Sequence, residues 1–243
     1  MVTILMRWHD CNSRRGMLRL ALAACLVLPR SCGAVPGLTN FSLSLNHHSP
    51  HRCNDEFHKW FGATYGSAQS VQVLDVGGGQ GALYLFVRNA TRAAVKWRCI
   101  DVAPPTGSPC QQFDGVMLPA KSKSRDLVVF NYVLHHASVK NYSSPFRRSE
   151  SKQQSLLREA ARVSRGYIAV AEDMKAMGKS GRFSQWRHDK NGLYRTDASW
   201  RDLFARLGLR LVEVRVTSEH CASSAWKAVY VVARRLYILT PGQ

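Results

Sequence analysis

The chain has 243 residues, 45% of them hydrophobic, which is enough for one sizeable core and short for two domains. Its formal charge is +18; the first 34 residues hold five arginines and one aspartate, which leaves 29 basic and 15 acidic residues, a net +14, for the remainder. This charge favours anionic partners, but the basic residues are dispersed and form no patch with interleaved aromatics of the kind that stacks nucleic-acid bases.

The cysteine pattern predicts neither a disulfide framework nor a zinc site, because it has no Cys-x-x-Cys and no paired spacing. The seven cysteines fall at positions 11, 25, 32, 53, 99, 110 and 221. A cluster of histidines near residue 50 is interpreted as part of a polar linker, since metal ligands normally have fixed spacing on ordered elements. We therefore predict no metal site.

Residues 1–34 are predicted to be an N-terminal leader. The apolar run 20–28 has nine residues, far short of the roughly 20 that span a bilayer as a helix, so no transmembrane span is predicted. Read from Met17 the leader resembles a secretory signal, and read from Met1 it resembles an organellar transit peptide. Two destinations are therefore consistent with the leader: an organelle, either a mitochondrion or a plastid, and the secretory pathway. Residues 35–53 are predicted to be a linker.

The first predicted element is a short helix. Asn54 is expected to cap it, Phe57, Trp60 and Phe61 repeat at helical spacing, and Gly62 is expected to end it.

Strand-like and helical segments then alternate along the predicted domain, 54–243. The strand-like runs are 71–76, 95–100, 127–131 and 167–171, the clearest helices are 153–163 and 199–207, and two β-rich runs at 209–217 and 227–235 end the chain. This alternation predicts an α/β, doubly wound (Rossmann-like) domain. We expect a seven-stranded, mostly parallel sheet with an antiparallel C-terminal strand, which a terminal hairpin supplies.

A glycine-rich loop follows the first strand. In "VLDVGGGQG", Asp75 precedes Gly77, Gly79 and Gly81 at the corner where doubly wound sheets bind ligands. Glycine permits positive φ and close approach of a ligand to the backbone. The spacing also fits the dinucleotide fingerprint. The acidic residue before the loop, however, suits a ligand with a cationic amino-acid end and would repel a pyrophosphate.

Four more stretches follow in order: "WRCIDVAP", "FDGVMLP", "DLVVFNYVLHHAS" and "LLREAARVSRGYIAVAED". Together with "VLDVGGGQG" they resemble the class I S-adenosylmethionine-dependent methyltransferases, in the methyltransferase type 11 branch that includes the ubiquinone and menaquinone biosynthesis enzymes. The resemblance covers most of residues 71–235. It implies S-adenosylmethionine as cofactor.

The resemblance also implies roles for individual residues. Asp101, at the end of the second strand, would bind the ribose hydroxyls, and Asp114 would face the adenine amino group. The implied cofactor-binding residues are Asp75, Gly77, Gly79, Gly81, Asp101, Asp114, Gly115 and Asn131.

Methyl transfer from a sulfonium is an in-line displacement, in which the protein aligns the reactants and, for a poor nucleophile, removes a proton. His135 and His136 follow the fourth strand near the expected position of the methyl group, and they are the candidate catalytic residues. We give the same weight to the interpretation that one of these histidines only packs against the domain or caps an element, while the other faces the pocket. Other candidate bases are Glu172, Asp173 and His188, and residues 186–196 are a candidate lid or an exposed connector.

The favoured acceptor is a small or lipid-like molecule. An RNA methyltransferase is the first alternative, because the positive charge favours it. It ranks below the small-molecule acceptor because the sequence shows no RNA-binding module. The second is a cofactor-binding protein without catalysis, and the third is a nicotinamide oxidoreductase. The oligomeric state is left open by the sequence.

Overall fold

The computed structural model describes residues 54–137, 151–175, 192–217 and 233–242, which fall within one compact unit, 46–243. The predicted leader (1–34) and linker (35–53) lie outside the described residues. So do His188, the first part of the candidate lid, and the first six residues of the second terminal run.

The domain is built on one seven-stranded sheet of order β3-β2-β1-β4-β5-β7-β6. The strands are β1 (Ser70–Val76), β2 (Ala94–Asp101), β3 (Gln111–Gln112), β4 (Arg125–Asn131), β5 (Ser164–Asp173), β6 (Leu209–Thr217) and β7 (Arg234–Pro241). Neighbours from β3 to β5 pair in parallel, whereas β7 pairs antiparallel with both β5 and β6. The predicted fold class is confirmed.

The terminal hairpin inserts its last strand between β5 and β6, as the mostly parallel sheet requires. The first hairpin strand matches the predicted run 209–217. The second strand begins at Arg234 and continues to Pro241, so it lies further along the chain than the predicted run 227–235. The residues 236–239 are buried on both faces of the sheet, which explains why they pair as a central strand.

Helices cover both faces of the sheet. In the described part of the chain these helices are α1 (Asp55–Tyr65), α2 (Ala82–Val87), α3 (Ser151–Val163) and α4 (Asp197–Arg206). One core packs α1 and α2 on one face, and the other packs α3 and α4 on the opposite face. This two-sided arrangement leaves the carboxyl ends of the parallel strands free for a ligand site.

The prediction that Gly62 ends the first helix is wrong, because α1 continues to Tyr65. A Cβ at Gly62 would lie 2.6 Å from the Ala90 carbonyl oxygen. Gly62 therefore serves close packing of α1 on the segment after α2, and its cost within a helix is outweighed by the burial of Phe57 and Phe61 on the same helix.

Among the described residues, no helix is long and apolar enough to cross a membrane.

Candidate cofactor site

The candidate site lies at the carboxyl ends of β1, β2 and β4. The chain leaves β1 at Val76 and enters α2 at Ala82 through the glycine loop, residues 77–81. Gly77, Gly79 and Gly81 all have positive φ, of 73°, 54° and 71°. L-residues rarely adopt this conformation, which explains the glycines of the motif.

Side chains pack closely around most of the glycine loop but leave one part open. A Cβ at Gly77 would overlap Val133, and one at Gly81 would lie 2.6 Å from Cγ of Pro109. A Cβ at Gly79, in contrast, would have no heavy atom within 4 Å. The open backbone at Gly79 is the place where a ligand can lie against the loop.

Asp75 is fully buried beneath this loop. Its Oδ2 accepts a hydrogen bond from Trp97 Nε1 at 3.3 Å, and its Oδ1 has no partner among the described residues. Burial raises the pKa of Asp75 to about 7, the Trp97 bond opposes the shift, and the charge of Asp101 adds to it. An unpaired buried carboxylate oxygen fits a ligand that brings a cationic hydrogen-bond donor.

Asp101 ends β2 beside the open face of the loop. Its Oδ2 accepts from Gly79 N at 3.0 Å and its Oδ1 accepts from Ala103 N at 2.9 Å. The carboxylate is thereby held in one orientation and is only partly buried. A carboxylate has about four acceptor positions, so capacity remains for hydroxyl groups of a ligand.

A second turn continues this surface. Asp114 Oδ1 accepts from Val116 N and Met117 N at 2.8 and 3.0 Å, and these bonds lower the pKa of Asp114. Gly115 has φ +75°, and a Cβ there would lie 2.9 Å from Val102 Cγ1. Val102, Val116 and Met117 are large apolar residues with 52%, 52% and 62% of their surface exposed. Exposed apolar side chains next to Asp101 suit a planar aromatic group.

The turn after β4 forms the third side of the site. Asn131 is the last residue of β4, and Tyr132, which follows it, has φ +57°, rare for a non-glycine residue. Tyr132 N donates to Ala171 O at 2.8 Å, and the Arg234 guanidinium lies 5.0 Å from its ring centre. This conformation brings Val133 against Gly77 and begins the 3₁₀ turn Leu134–His136.

The two candidate catalytic histidines differ in environment. His136 is exposed, whereas His135 is 5% exposed and its Nδ1 lies 2.6 Å from Glu172 Oε2. The other Glu172 oxygen accepts from Leu134 N at 2.7 Å. Because a carboxylate can only accept, Nδ1 of His135 carries the proton and Nε2 is the ring nitrogen that can accept one.

The segment before α4 packs against this turn. Tyr194 stacks on the His135 ring with a centroid distance of 4.8 Å, and Leu193 N donates to His135 O at 2.7 Å. Gln153 of α3 donates to the carbonyl oxygens of Leu134 and Leu193. The described end of the candidate lid therefore forms part of a fixed wall next to His135.

The interpretation of the cysteines is corrected by the structure. Cys99 and Cys110 form a disulfide with their Cα atoms 4.5 Å apart. Their separation of 11 residues matches no familiar spacing, and the pairing depends on β2 and β3 being neighbours, which the sequence did not indicate because β3 has only two residues. No potential metal cluster occurs in the part of the chain that the structure describes.

The structure thus groups the predicted residues into three adjoining sets at one edge of the sheet. The glycine loop lies with Asp75 and Asp101, the turn of Asp114 and Gly115 follows β3 and contacts Val102 just beyond β2, and the His135 turn contacts the loop through Val133. Sequence reasoning missed the Cys99–Cys110 pair and the packing of Tyr194. The one sequence feature that relates the two cysteines is that they flank residues 100–109, the segment that contains Asp101.

Solved structures similar to this chain include several methyltransferases and a cyclase. The chain is similar to an S-adenosylmethionine-dependent methyltransferase from Aquifex aeolicus, with 15% identity, a TM-score of 0.53 and coverage of 80% of this chain and 94% of that chain. It is also similar to the 1,6-didemethyltoxoflavin-N1-methyltransferase of Burkholderia thailandensis, whose structure holds 1,6-didemethyltoxoflavin and S-adenosylhomocysteine, with 13% identity, a TM-score of 0.54 and coverage of 99% and 94%. The chain has the class I methyltransferase fold.

That fold alone does not define the reaction. The [4+2]-cyclase SpnF is similar to the same degree, with 15% identity, a TM-score of 0.55 and coverage of 78% of this chain and 82% of that chain. No protein-family model and no curated protein matches the sequence. The function must therefore be argued from the site.

Proposed function

We propose that the chain is an S-adenosylmethionine-dependent methyltransferase that acts on a small or lipid-like molecule, in the type 11 branch. The observation that carries this proposal is the pair of carboxylates around the glycine loop, Asp75 below it and Asp101 beside its open face. A pyrophosphate placed on this loop would lie above the carboxyl group of Asp75, whose ionised form would repel it, and this disfavours a nicotinamide dinucleotide, whereas Asp101 suits the ribose of either cofactor. A ligand with a cationic amino-acid end and a ribose suits both.

The residues present fit this cofactor. Asp101 would accept the ribose hydroxyls, and Asp75 Oδ1 would accept from the ammonium group. Val102 and Met117 would contact the faces of the adenine, with Asp114 at its edge. Gly79 leaves the space in which the cofactor backbone can approach the loop. When bound, the cofactor would supply a methyl group on a sulfonium for in-line transfer to an acceptor nucleophile, with the thioether as the leaving group.

His135 is the residue we assign to proton removal. Glu172 holds the proton on Nδ1, so Nε2 can accept one from an acceptor hydroxyl, amine or thiol. The Glu172 contact and the stacked ring of Tyr194 fix the plane of the imidazole, and the Leu193 bond holds the backbone of His135. His136, which is exposed, would contact the acceptor rather than take its proton.

An RNA acceptor is the alternative that the +14 charge of residues 35–243 favours. A non-catalytic cofactor-binding protein would need the same glycine loop and carboxylates but not the oriented His135. The leader at 1–34 and its destination, an organelle or the secretory pathway, remain predictions from the sequence.

A transfer experiment tests this proposal. The full chain would be incubated with S-adenosylmethionine labelled in its methyl group and with cell extract separated into lipid, small-molecule, RNA and protein fractions. We expect label in the lipid or small-molecule fraction, and much less of it with the Asp101→Ala variant at a cofactor concentration that does not saturate this variant. Label in RNA would establish the alternative acceptor. Cofactor binding without labelling of any fraction would support the non-catalytic alternative.

A further inference from the structure

The Cys99–Cys110 disulfide lies directly against the candidate cofactor site. Cys99 is in β2, two residues before Asp101, and Cys110 immediately precedes β3. The bond therefore closes the segment 100–109, which contains both Asp101 and Val102. These are the only cysteines among the described residues, and the catalytic proposal makes no use of them.

The closed segment and the glycine loop are joined by several contacts. A Cβ at Gly78 would overlap Cys99 Sγ, so the sulfur lies beneath the loop. Ser108 Oγ donates to Gly79 O, and the Ser108 hydroxyl also accepts from Cys110 N at 3.0 Å. Pro109 packs against Gly81. The disulfide thus anchors a segment that contacts Gly79 and Gly81, and its Cys99 sulfur itself lies against Gly78.

Both sulfur atoms belong to buried residues, since Cys99 is 8% exposed and Cys110 is 7% exposed. The packing of the segment 100–109 against the loop therefore shields the bond from a reductant. A cofactor that contacts Asp101 and the loop at once would oppose this movement. The disulfide and the cofactor therefore stabilise the same arrangement of the same residues.

We propose that the Cys99–Cys110 pair is a redox switch of cofactor affinity, an inference that rests on the proposed cofactor. A dithiol reductant attacks one sulfur as its thiolate, and a mixed disulfide forms while the other cysteine leaves as a thiolate and takes up a proton. The second thiol of the reductant then displaces the first cysteine, which gives two protein thiols and one disulfide of the reductant. The freed segment loses its anchor, and Asp101 loses its fixed position beside Gly79.

Linkage sets a quantitative requirement on this switch. If oxidation raises cofactor affinity by a given factor, bound cofactor must shift the thiol–disulfide equilibrium toward the disulfide by the same factor. Couplings between sites in proteins are typically about 5- to 150-fold. We expect a value within that range, because several contacts join the closed segment to the glycine loop.

The test uses the full chain and S-adenosylhomocysteine as the probe. Its dissociation constant would be measured by calorimetry for protein oxidised and then for protein reduced with dithiothreitol, with the state of the pair verified by peptide mass spectrometry. We expect affinity to fall about 5- to 150-fold on reduction. The ratio of disulfide to dithiol protein at fixed ratios of reduced to oxidised dithiothreitol would then be measured without the probe and with the probe at saturation, and this ratio should rise by the same factor.

Two variants distinguish the effect of reducing the Cys99–Cys110 disulfide from effects of dithiothreitol on other cysteines. Cys110→Ser should bind as weakly as the reduced protein and should not respond to dithiothreitol, whereas Cys221→Ser, which keeps the pair, should behave as the wild type does. Equal affinity of the oxidised and reduced wild type would overturn the switch while leaving the proposed cofactor intact. Absence of binding to either form would overturn the proposed cofactor, and the switch with it.

Discussion

Asp101→Ala is expected to weaken binding of S-adenosylmethionine by about tenfold to a few hundredfold. Hydrogen bonds to a charged group contribute roughly 1.5–3 kcal/mol each, and about 1.4 kcal/mol corresponds to a factor of ten. The structure adds a second cause. Asp101 also accepts from Gly79 N and Ala103 N, so the variant loses the bonds that hold the loop and the end of β2 together. Calorimetry with S-adenosylhomocysteine measures the effect.

Asp202→Ala is the matched control for this experiment. Asp202 is on the exposed surface of α4, where it forms one ion pair with Arg206 at 3.3 Å. Its removal should change neither affinity nor fold, since exposed ion pairs contribute little. Wild-type affinity in Asp101→Ala would mean that Asp101 only caps the end of its strand, and the assignment of the ribose site would be wrong.

Replacement of Glu172 is expected to separate a structural from a catalytic role of His135. Glu172→Ala removes two buried acceptors and leaves Leu134 N and His135 Nδ1 without them. Each unsatisfied buried group costs about 1–3 kcal/mol, so we expect a loss of roughly 2–6 kcal/mol. Since domains are stable by about 5–15 kcal/mol, this variant should be strongly destabilised in a denaturant titration.

Glu172→Gln is the informative variant, because the glutamine amide has nearly the same shape. Its carbonyl oxygen can still accept from Leu134 N, but its NH₂ group then faces His135 Nδ1 and favours the tautomer with the proton on Nε2. If His135 Nε2 takes the proton of the acceptor, turnover should fall about 10²-fold or more, while affinity for S-adenosylhomocysteine stays as in the wild type.

Glu213→Gln, at a half-buried position on β6 where the carboxylate pairs with Arg215 at 2.7 Å, is the control for the loss of a carboxylate away from the site. Normal turnover in a folded Glu172→Gln protein would assign His135 to packing alone. In that case the acceptor needs no base, or the exposed His136 supplies it.

The architecture could be predicted because each element has a local cause. The apolar runs 71–76 and 127–131 are short and lie between turn signals, so they could be interpreted as buried strands, and their positions in the sheet followed from the alternation with helices. The glycine loop could be predicted for the same reason. Positions with positive φ favour glycine, and Gly77, Gly79 and Gly81 are such positions.

Other features depend on contacts that no local pattern reports. Gly62 has the residue type of a helix end, and only its approach to Ala90 shows why it lies within α1. The pairing of Cys99 with Cys110 follows from a two-residue strand, β3, that has no signature of its own. The association of Glu172 with His135 joins β5 to the turn that follows β4, and it could be recognised only once β4 and β5 were known to be neighbours.

Calorimetric titration of the oxidised full chain with S-adenosylhomocysteine, and separately with NAD, tests the central claim most directly. We expect saturable one-site binding of S-adenosylhomocysteine and no measurable binding of NAD, because the Asp75 carboxyl group lies directly below the loop on which a pyrophosphate would have to lie. Binding of NAD in preference to S-adenosylhomocysteine would contradict it.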